Sequence, residues 1–353
     1  MSVIQEVVSM QKGVVIQGLG VAAIQEIAIP KATGQFLKIR TCAVALNPSD
    51  WKHVYWRADK GALVGLDYAG YVEEIGPLVR RPFKVGDRIA GFTHGSNTMN
   101  HLTGAFAEHV IGKGDLALHI PPSLDFEQAA SLGVGLVTIG LCLYKSLKLP
   151  LPTSPVDRSF PVLVYGGSTS TGTLAIQFLK QSGLIVYTTC SPHNFALVKS
   201  YGADFVFDYR DRDVGKKIRR ASHETIKHIL DTISETASAR ICADAMSPEG
   251  GRYTSILEVV FPRDDCITDF VMAYTAFGED YKMGPNGALE KAQPADQDFT
   301  RKFFDMAEQL LADGKIRPHD IEVGKGGLAG VPEGLERLRG GKISGAKLVY
   351  QVD

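Results

Sequence analysis

The stretch VLVYGGSTSTGTLAIQ (residues 162–177) decides the fold class of this chain. An apolar run enters a glycine-rich turn, and the turn opens a segment whose apolar residues recur at helical spacing. Glycines let such a turn approach an anionic ligand closely, and the free N–H groups at the start of a helix attract negative charge. Taken alone, the stretch also fits a plain polar turn between a strand and a helix.

Strands and helices alternate along the residues that follow this turn. This rhythm predicts an α/β fold with a doubly wound parallel sheet, right-handed crossovers and ligands bound beyond the carboxyl ends of the strands. The strand-like runs are residues 161–168, 184–191, 204–210, 227–234 and 250–257, and the helix-like runs are residues 171–183, 194–203, 213–222 and 235–246.

The position of the turn, at the start of a βαβ series, favours a dinucleotide-phosphate site. The strict G-x-G-x-x-G spacing is missing, so the motif depends on this context. The predicted contacts are the glycines Gly166 and Gly167 and the hydroxyl-bearing residues Ser168, Thr169, Ser170 and Thr171.

The end of the second strand, TTCSPHNF (residues 188–195), bears on the choice of cofactor. NAD-binding folds usually place an acid there to hold the ribose hydroxyls, and this segment has none. Ser191, His193 and Asn194 can instead donate hydrogen bonds to a 2′-phosphate, which favours NADPH. Ser191 and Asn194 can also cap the next helix. Tyr209 either packs on the cofactor or completes a core strand.

Two further regions flank this sheet. Residues 1–125 are rich in β-formers and turns, which predicts a β-rich body that includes the runs FLKIRTCAVALN, LDYAGYVEEIG, VGDRIAG and GAFAEHV. A helix is predicted from Asp125, with a capping-box pattern through Gln128, broken around Gly133–Gly135 and reaching about Leu147. The proline-rich residues 149–161 are predicted to be a linker.

Composition excludes several classes of function. The chain has 353 residues, 44% hydrophobic and 22% charged, with a net charge of −1, so no basic face for nucleic acid is expected. The opening residues 1–15 predict no secretory signal. No apolar run reaches membrane-spanning length, and residues 130–144 come closest. Five dispersed cysteines indicate reduced thiols and a cytoplasmic location.

The order of motifs along the whole chain resembles the medium-chain dehydrogenase/reductase superfamily. That resemblance implies a GroES-like catalytic domain at residues 1–138, a Rossmann domain at residues 139–280, and a return to the first domain at residues 281–353. The motifs that carry it are NPSD, GLDYAGYVEEIG, VGDRIAG, GAFAEHV, FEQAASL, GGRY and SGAKLVY.

Zinc is not expected at the position where zinc-dependent members of the superfamily bind it. Those members carry a cysteine where this chain has Asn47, and Gly-His-Glu where it has Gly65, Leu66 and Asp67. A leucine cannot ligate a metal, and an amide is a poor zinc ligand. The chain is therefore similar to the zinc-free, quinone-oxidoreductase-like branch.

Within that branch, Lys52 occupies a position where quinone oxidoreductases usually carry tyrosine. The chain resembles instead the trans-acting enoyl reductases of fungal polyketide synthesis, of the lovastatin kind and their toxin-cluster relatives. That resemblance implies NADPH-dependent reduction of an α,β-unsaturated thioester on a carrier domain of a partner synthase, by a monomer or homodimer. The supporting motifs are NPSDWK, LPLP, YGGSTSTGT, TCSPHNF, GADFVFDYR and FGE.

Two alternatives stay open: an NADPH-dependent quinone or enone reductase acting on free small molecules, and an NADPH-binding protein without turnover. A nearly neutral chain of this kind is expected to bind neither nucleic acid nor membrane.

The resemblance also implies roles for individual residues. Lys52 stabilises the developing enolate or holds the nicotinamide ribose or amide, unless it is an ordinary exposed turn lysine. Thr138 contacts the nicotinamide region. The donor of the α-proton stays open between solvent, Lys52 and a tyrosine. Further predicted cofactor contacts are Ser49, Asp50, Ile256, Leu257 and Lys347; predicted acyl-pocket residues, with core packing as the alternative, are Leu132, Gly133, Gly135, Ile139, Gly140, Ala276, Phe277 and Gly278.

Overall fold

The structure, a computed structural model, describes residues 9–352. The first eight residues, which belong to the segment predicted to lack a secretory signal and to the predicted first domain, lie outside the described residues, as does Asp353.

Strands and helices occupy most of the described chain. The strands are β1 (Met10–Gly18), β2 (Val21–Ala28), β3 (Phe36–Ala45), β4 (Asp67–Ile75), β5 (Arg88–Phe92), β6 (His109–Lys113), β7 (Ala117–His119), β8 (Pro161–Tyr165), β9 (Ile185–Cys190), β10 (Phe205–Asp208), β11 (His228–Asp231), β12 (Arg252–Ser255), β13 (Ile267–Phe270), β14 (Tyr281–Lys282), β15 (Leu289–Glu290), β16 (Ile321–Val323) and β17 (Lys347–Gln351). The α-helices are α1 (Pro48–Trp56), α2 (Phe126–Ala130), α3 (Gly133–Ile139), α4 (Ser170–Gln181), α5 (Phe195–Ser200), α6 (Val214–Ala221), α7 (Thr236–Ala245), α8 (Pro294–Ala312) and α9 (Gly327–Arg339).

A parallel sheet in the order β10-β9-β8-β11-β12-β13 surrounds the stretch at residues 162–177. Five of its strands and the helices α4 to α7 confirm the predicted alternation. The apolar strand β8 lies inside the sheet, where neighbouring strands and helices cover both faces. The sixth strand, β13, was not predicted, because its four residues are all exposed and carry no apolar pattern.

The β-rich body is a mostly antiparallel sheet in the order β16-β17-β3-β4-β5-β7, with β6 also paired to β3. The pairing of β17 with β3 joins the last described strand to this sheet, and the return of residues 281–353 to the first domain stays a prediction. The prediction of a strand over GAFAEHV, residues 104–110, is wrong for its first five residues. Residues 104–108 lie outside β6, because Ala105 and Phe106 donate to the backbone of Gly65 and Val64 in a separate loop contact.

The helix predicted from Asp125 is confirmed at its start. The Asp125 carboxylate accepts from the Gln128 N–H at 2.7 Å, and Gln128 Oε1 accepts from the Asp125 N–H, which completes the capping box. The predicted break is misplaced, because the helix is interrupted at residues 131–132 and the glycines lie inside α3. Gly133 is needed there, since a Cβ would stand 2.3 Å from the Gly91 carbonyl oxygen.

The same helical stretch, Phe126–Ser146, is 21 residues long and contains 18 consecutive residues with a mean hydropathy of 1.5, which corrects the expectation that nothing apolar reaches spanning length. Of these 18 residues, 72% are buried inside the protein, as in a core helix of a folded domain. Its last turns, residues 140–146, are π-helical. Residues 149–160 of the predicted linker follow without helix or strand, and its last residue, Pro161, begins β8. The domain bounds at residues 138 and 280 stay predictions, and the first falls within α3.

A buried ion pair connects β17, near the end of the described chain, with β4. The Lys347 ammonium at the start of β17 lies 2.5 Å from Asp67 Oδ2 on β4, and both side chains are almost fully buried. Asp67 also accepts from the Asn47 amide at 2.8 Å and from the Val134 N–H at 2.6 Å. One carboxylate therefore connects the strands β4 and β17 with the first residues of α1 and α3.

Replacing Lys347 with methionine should expose the importance of this pair. The variant leaves a buried carboxylate without its cation, which costs about 3–5 kcal/mol of unfolding free energy. Urea titration followed by circular dichroism measures this cost. Lys342→Met, at an exposed lysine nearby, is the control and should change stability by less than about 0.5 kcal/mol. Equal stability of the two variants would contradict this account of the pair.

Candidate active site

The glycine-rich turn between β8 and α4 has the geometry of a phosphate site. Gly166 adopts φ +81°, and a Cβ on Gly167 would stand 2.0 Å from Thr188 Oγ1, so neither position has room for a side chain. Thr169 caps α4 by accepting from the Gly172 N–H at 2.9 Å. The buried Ser170 hydroxyl has no hydrogen-bond partner among the described residues. These features leave polar groups at a helix start that a bound pyrophosphate can satisfy.

The residues after β9 present donors and no acid, as the sequence indicates. Neither Ser191 nor Asn194 makes a side-chain capping hydrogen bond within the described chain. The Asn194 amide donates to Ser344 Oγ at 3.3 Å, and His193 Nε2 lies 3.1 Å from the same oxygen. Tyr209 is 41% exposed beyond the end of β10. His193 is exposed and Ser191 half-buried, whereas Asn194 is buried, and the contacts of all these side chains with the cofactor stay predictions.

Lys52 lies on helix α1. Lys52 is half-buried, with its ammonium 5.8 Å and 5.7 Å from the ring centroids of Trp51 and Trp56. Burial lowers the pKa of Lys52, the charge of Glu235 opposes this shift, and that of Arg57 adds to it. Glu235, whose charge acts on Lys52, lies between β11 and α7, and this fold binds ligands at the carboxyl ends of such strands.

The start of α1 is held by Asn47 and Asp50. Asp50 Oδ2 accepts from the Asn47 N–H at 2.7 Å, whereas the buried Oδ1 has no partner among residues 9–352. Burial raises the pKa of Asp50 well above its usual range, and the nearby Asp67 charge adds to the shift while the Asn47 hydrogen bond opposes it. Asp50, predicted as a cofactor contact, is thus a buried carboxyl group that holds the start of α1, and its contact with the cofactor stays a prediction. Ser49 accepts through its carbonyl from His53 Nδ1 at 2.7 Å.

The position of the superfamily's catalytic zinc has no suitable ligands in this chain. The Asn47 amide is bonded to Asp67, Leu66 contributes only a hydrocarbon side chain, and Lys347 supplies the positive charge beside Asp67. Within residues 9–352 no group of three or more histidines, cysteines, aspartates or glutamates is placed to hold a metal ion. Lys347 was predicted to contact the cofactor, and its ammonium is bonded to Asp67 and the Ser131 carbonyl in this structure.

The other predicted site residues are mostly buried. The Thr138 hydroxyl donates to the Val134 carbonyl of its own helix at 2.7 Å. Ile256 donates its N–H to Ser234 Oγ at 2.9 Å, and Leu257 is 39% exposed beside it. The roles of these residues, and of the predicted acyl-pocket residues, stay predictions. Of the latter, Leu132, Gly133, Gly135, Ile139, Gly140, Ala276 and Phe277 are buried, and Gly278 is half-buried in a left-handed turn.

A buried cluster of histidines and aromatic rings beside α1 was missed by the sequence analysis. Tyr274 lies 3.5 Å through its hydroxyl from His53 Nε2, and its ring stacks on His94 with centroids 4.2 Å apart. Burial lowers the pKa values of His53 and His94 to about 4 and about 3, so both rings are neutral at pH 7. The only available signal was a histidine before a glycine directly after a strand, in FTHGS, and that pattern is weak.

Comparison with known proteins identifies the family. A model described as "Alcohol dehydrogenase GroES-like domain" matches residues 34–122, and one described as "Zinc-binding dehydrogenase" matches residues 170–256. The trans-enoyl reductase ACTTS2 of Alternaria alternata is 42% identical over 345 residues, which cover 97% of this chain and 99% of that protein. The trans-enoyl reductase TOXD of Cochliobolus carbonum is 51% identical over 253 residues, covering 72% and 85%.

Solved structures show the same fold at lower identity. The CurK enoyl reductase superimposes with a TM-score of 0.75 at 16% identity, covering 98% of this chain and 100% of that one. The quinone oxidoreductase of Coxiella burnetii gives a TM-score of 0.72 at 21% identity, with coverage of 98% and 100%. The family implies a nicotinamide cofactor, which fits the turn at Gly166 and Gly167. The chain belongs to the trans-enoyl reductases of the medium-chain dehydrogenase/reductase superfamily.

Proposed function

We propose that this protein is an NADPH-dependent enoyl reductase that acts in trans on a polyketide synthase. The observation that carries the proposal is the half-buried Lys52 on α1, in a chain whose turn between β8 and α4 suits a dinucleotide. The full-length similarity to trans-enoyl reductases supports the same reaction.

NADPH, when bound, supplies the hydride that reduces the β-carbon of the unsaturated thioester. The protein's task is to stabilise the negative charge that develops on the thioester carbonyl oxygen. We assign this task to the Lys52 ammonium, which lies 5.8 Å and 5.7 Å from the ring centroids of Trp51 and Trp56. Because burial lowers its pKa, Lys52 loses this charge at a lower pH than a free lysine does.

The proposed substrate is a 2-enoyl group carried as a thioester on the carrier domain of a partner synthase. The names of the relatives support this partner, as does the half-exposed position of Lys52, which is open to a substrate arm. We further propose a cytoplasmic location and a monomeric or homodimeric state. Reduction of free quinones or enones is the second candidate function; the zinc-free Asn47 position suits it equally, while Lys52 disfavours it. An NADPH-binding role without turnover is the third.

The reaction can be tested by following NADPH oxidation with crotonyl-CoA and, separately, with a simple quinone. Crotonyl-CoA should be reduced, and Lys52→Ala should lower kcat/KM by about 100-fold or more, as loss of one oxyanion donor does. Because Lys52 acts as a cation, the wild-type rate should fall as pH rises through its lowered pKa. Lys60→Ala, at an exposed lysine, is the control and should behave as wild type.

Turnover of the quinone alone would refute enoyl reduction, and tight NADPH binding without turnover of either acceptor would favour the third function. An unchanged kcat/KM in Lys52→Ala would remove Lys52 from the mechanism.

The choice of NADPH over NADH rests on the acid-free segment after β9. Ser191→Asp places a carboxylate where we expect the 2′-phosphate, so the Kd for NADPH should rise by about 10-fold or more, while that for NADH stays within about threefold. Fluorescence titration measures both constants. Ser154→Asp, in the exposed linker, introduces the same charge elsewhere and should change neither. A similar loss of affinity for both cofactors would contradict the proposed 2′-phosphate site.

A further inference from the structure

His94 is a buried side chain whose ring has no hydrogen-bond partner among residues 9–352. It lies two residues past β5 and is only 7% exposed. No described residue hydrogen-bonds to its ring, whereas the other two strongly buried histidines are bonded: His53 Nδ1 to the Ser49 carbonyl at 2.7 Å, and His319 Nδ1 to Thr173 Oγ1 at 3.0 Å. Neither ring nitrogen is among the fully buried side-chain atoms without a partner in the described residues, so both nitrogens keep access to space that a ligand group can occupy.

The faces of the His94 ring are fixed by packing. Its centroid lies 4.2 Å from the Tyr274 ring and 5.5 Å from the Phe277 ring, with interplanar angles of 22° and 20°, and 6.3 Å from the edge-on Tyr281 ring. Aromatic contacts of this kind hold the orientation of a ring without using its nitrogens. The two ring nitrogens are therefore the part of His94 that stays available.

The surroundings connect His94 to the proposed reaction centre. Tyr274, which stacks on His94, also contacts His53 through its hydroxyl, and His53 follows Lys52 directly on α1. Phe92, two residues before His94, pairs across the sheet with Asp67, which holds the start of α1 through Asn47. His94 therefore belongs to the buried cluster of histidines and aromatic rings beside α1, the helix that carries Lys52. It also packs on Phe277, in the segment that the family resemblance assigns to the acyl pocket.

The charge state of the ring suits a hydrogen-bond donor. Burial, with a smaller contribution from His53, lowers the pKa of His94 to about 3, so the ring is neutral throughout the physiological range. A neutral imidazole carries one N–H donor and can stabilise a developing oxyanion without bringing a second full charge close to Lys52.

We propose that His94 contacts the substrate directly, and that its ring N–H donates a hydrogen bond to the thioester carbonyl oxygen beside Lys52. This inference rests on the proposed function, since it assigns a second donor to the same oxygen. No bond is made or broken by His94; it stabilises charge that forms on the substrate during hydride transfer.

The test uses two substitutions that keep the full-length protein and its ring packing. His94→Phe preserves the stacked aromatic ring and removes the donor, so kcat with crotonyl-CoA should fall by about 10- to 100-fold. The same variant keeps the ring packing and removes no hydrogen bond to a described residue, so its Tm should stay close to that of wild type. Its Kd for NADPH should match wild type. His94→Gln restores an N–H donor and should recover part of the lost rate.

Other outcomes would overturn the proposal. A wild-type kcat in His94→Phe, or a His94→Gln variant as slow as His94→Phe, contradicts a hydrogen bond to substrate. A fall in Tm of several degrees together with weaker NADPH binding would show a purely structural role. His101→Phe, at a more exposed histidine, is the control and should leave kcat unchanged. A wild-type protein that reduces no enoyl thioester refutes the proposed function, which is a separate result from an active wild type with an unaffected His94 variant.

Discussion

The buried contact between Asp67 and Lys347 is the interaction on which the site's arrangement depends. Asp67 accepts hydrogen bonds from an ammonium, an amide and a backbone N–H, and these donors come from β17, the start of α1 and the start of α3. A carboxylate in this position is stable only while its donors stay in place. The start of the helix that carries Lys52 is therefore set by a contact with the last strand of the chain.

This arrangement also explains how the fold manages without the metal site of its zinc-dependent relatives. The positive charge beside Asp67 belongs to Lys347, and Asn47 donates to the carboxylate instead of ligating an ion. Burial raises the pKa of Asp50 and lowers the pKa values of His53 and His94, so it favours the uncharged form of each group. Lys52 is the half-buried cation of α1, which suits a reaction that develops negative charge.

Much of the fold was predictable from local sequence, because strands of the parallel sheet are apolar runs and helices begin at recognisable caps. The capping box at Asp125 and the glycine turn at residue 166 follow from such local rules. Long-range partners were not predictable in the same way. The bond between Lys347 and Asp67 joins residues 280 positions apart, and the family motifs that located Lys347 suggested a cofactor contact. The exposed strand β13 has no pattern to detect, and the isolation of the His94 ring is a property of packing that no motif records.

Isotope labelling is the most direct test of the proposed hydride transfer to the β-carbon of an enoyl thioester. Crotonyl-CoA should be reduced with NADPH deuterated at the transferable C4 position, and the butyryl product analysed by NMR and mass spectrometry. We expect one deuterium at C3 of the product when the cofactor carries the label. We expect deuterium at C2 only when the reaction is run in D₂O with unlabelled NADPH. Deuterium from the cofactor at C2, or NADPH oxidation that leaves no label in the thioester, would contradict it.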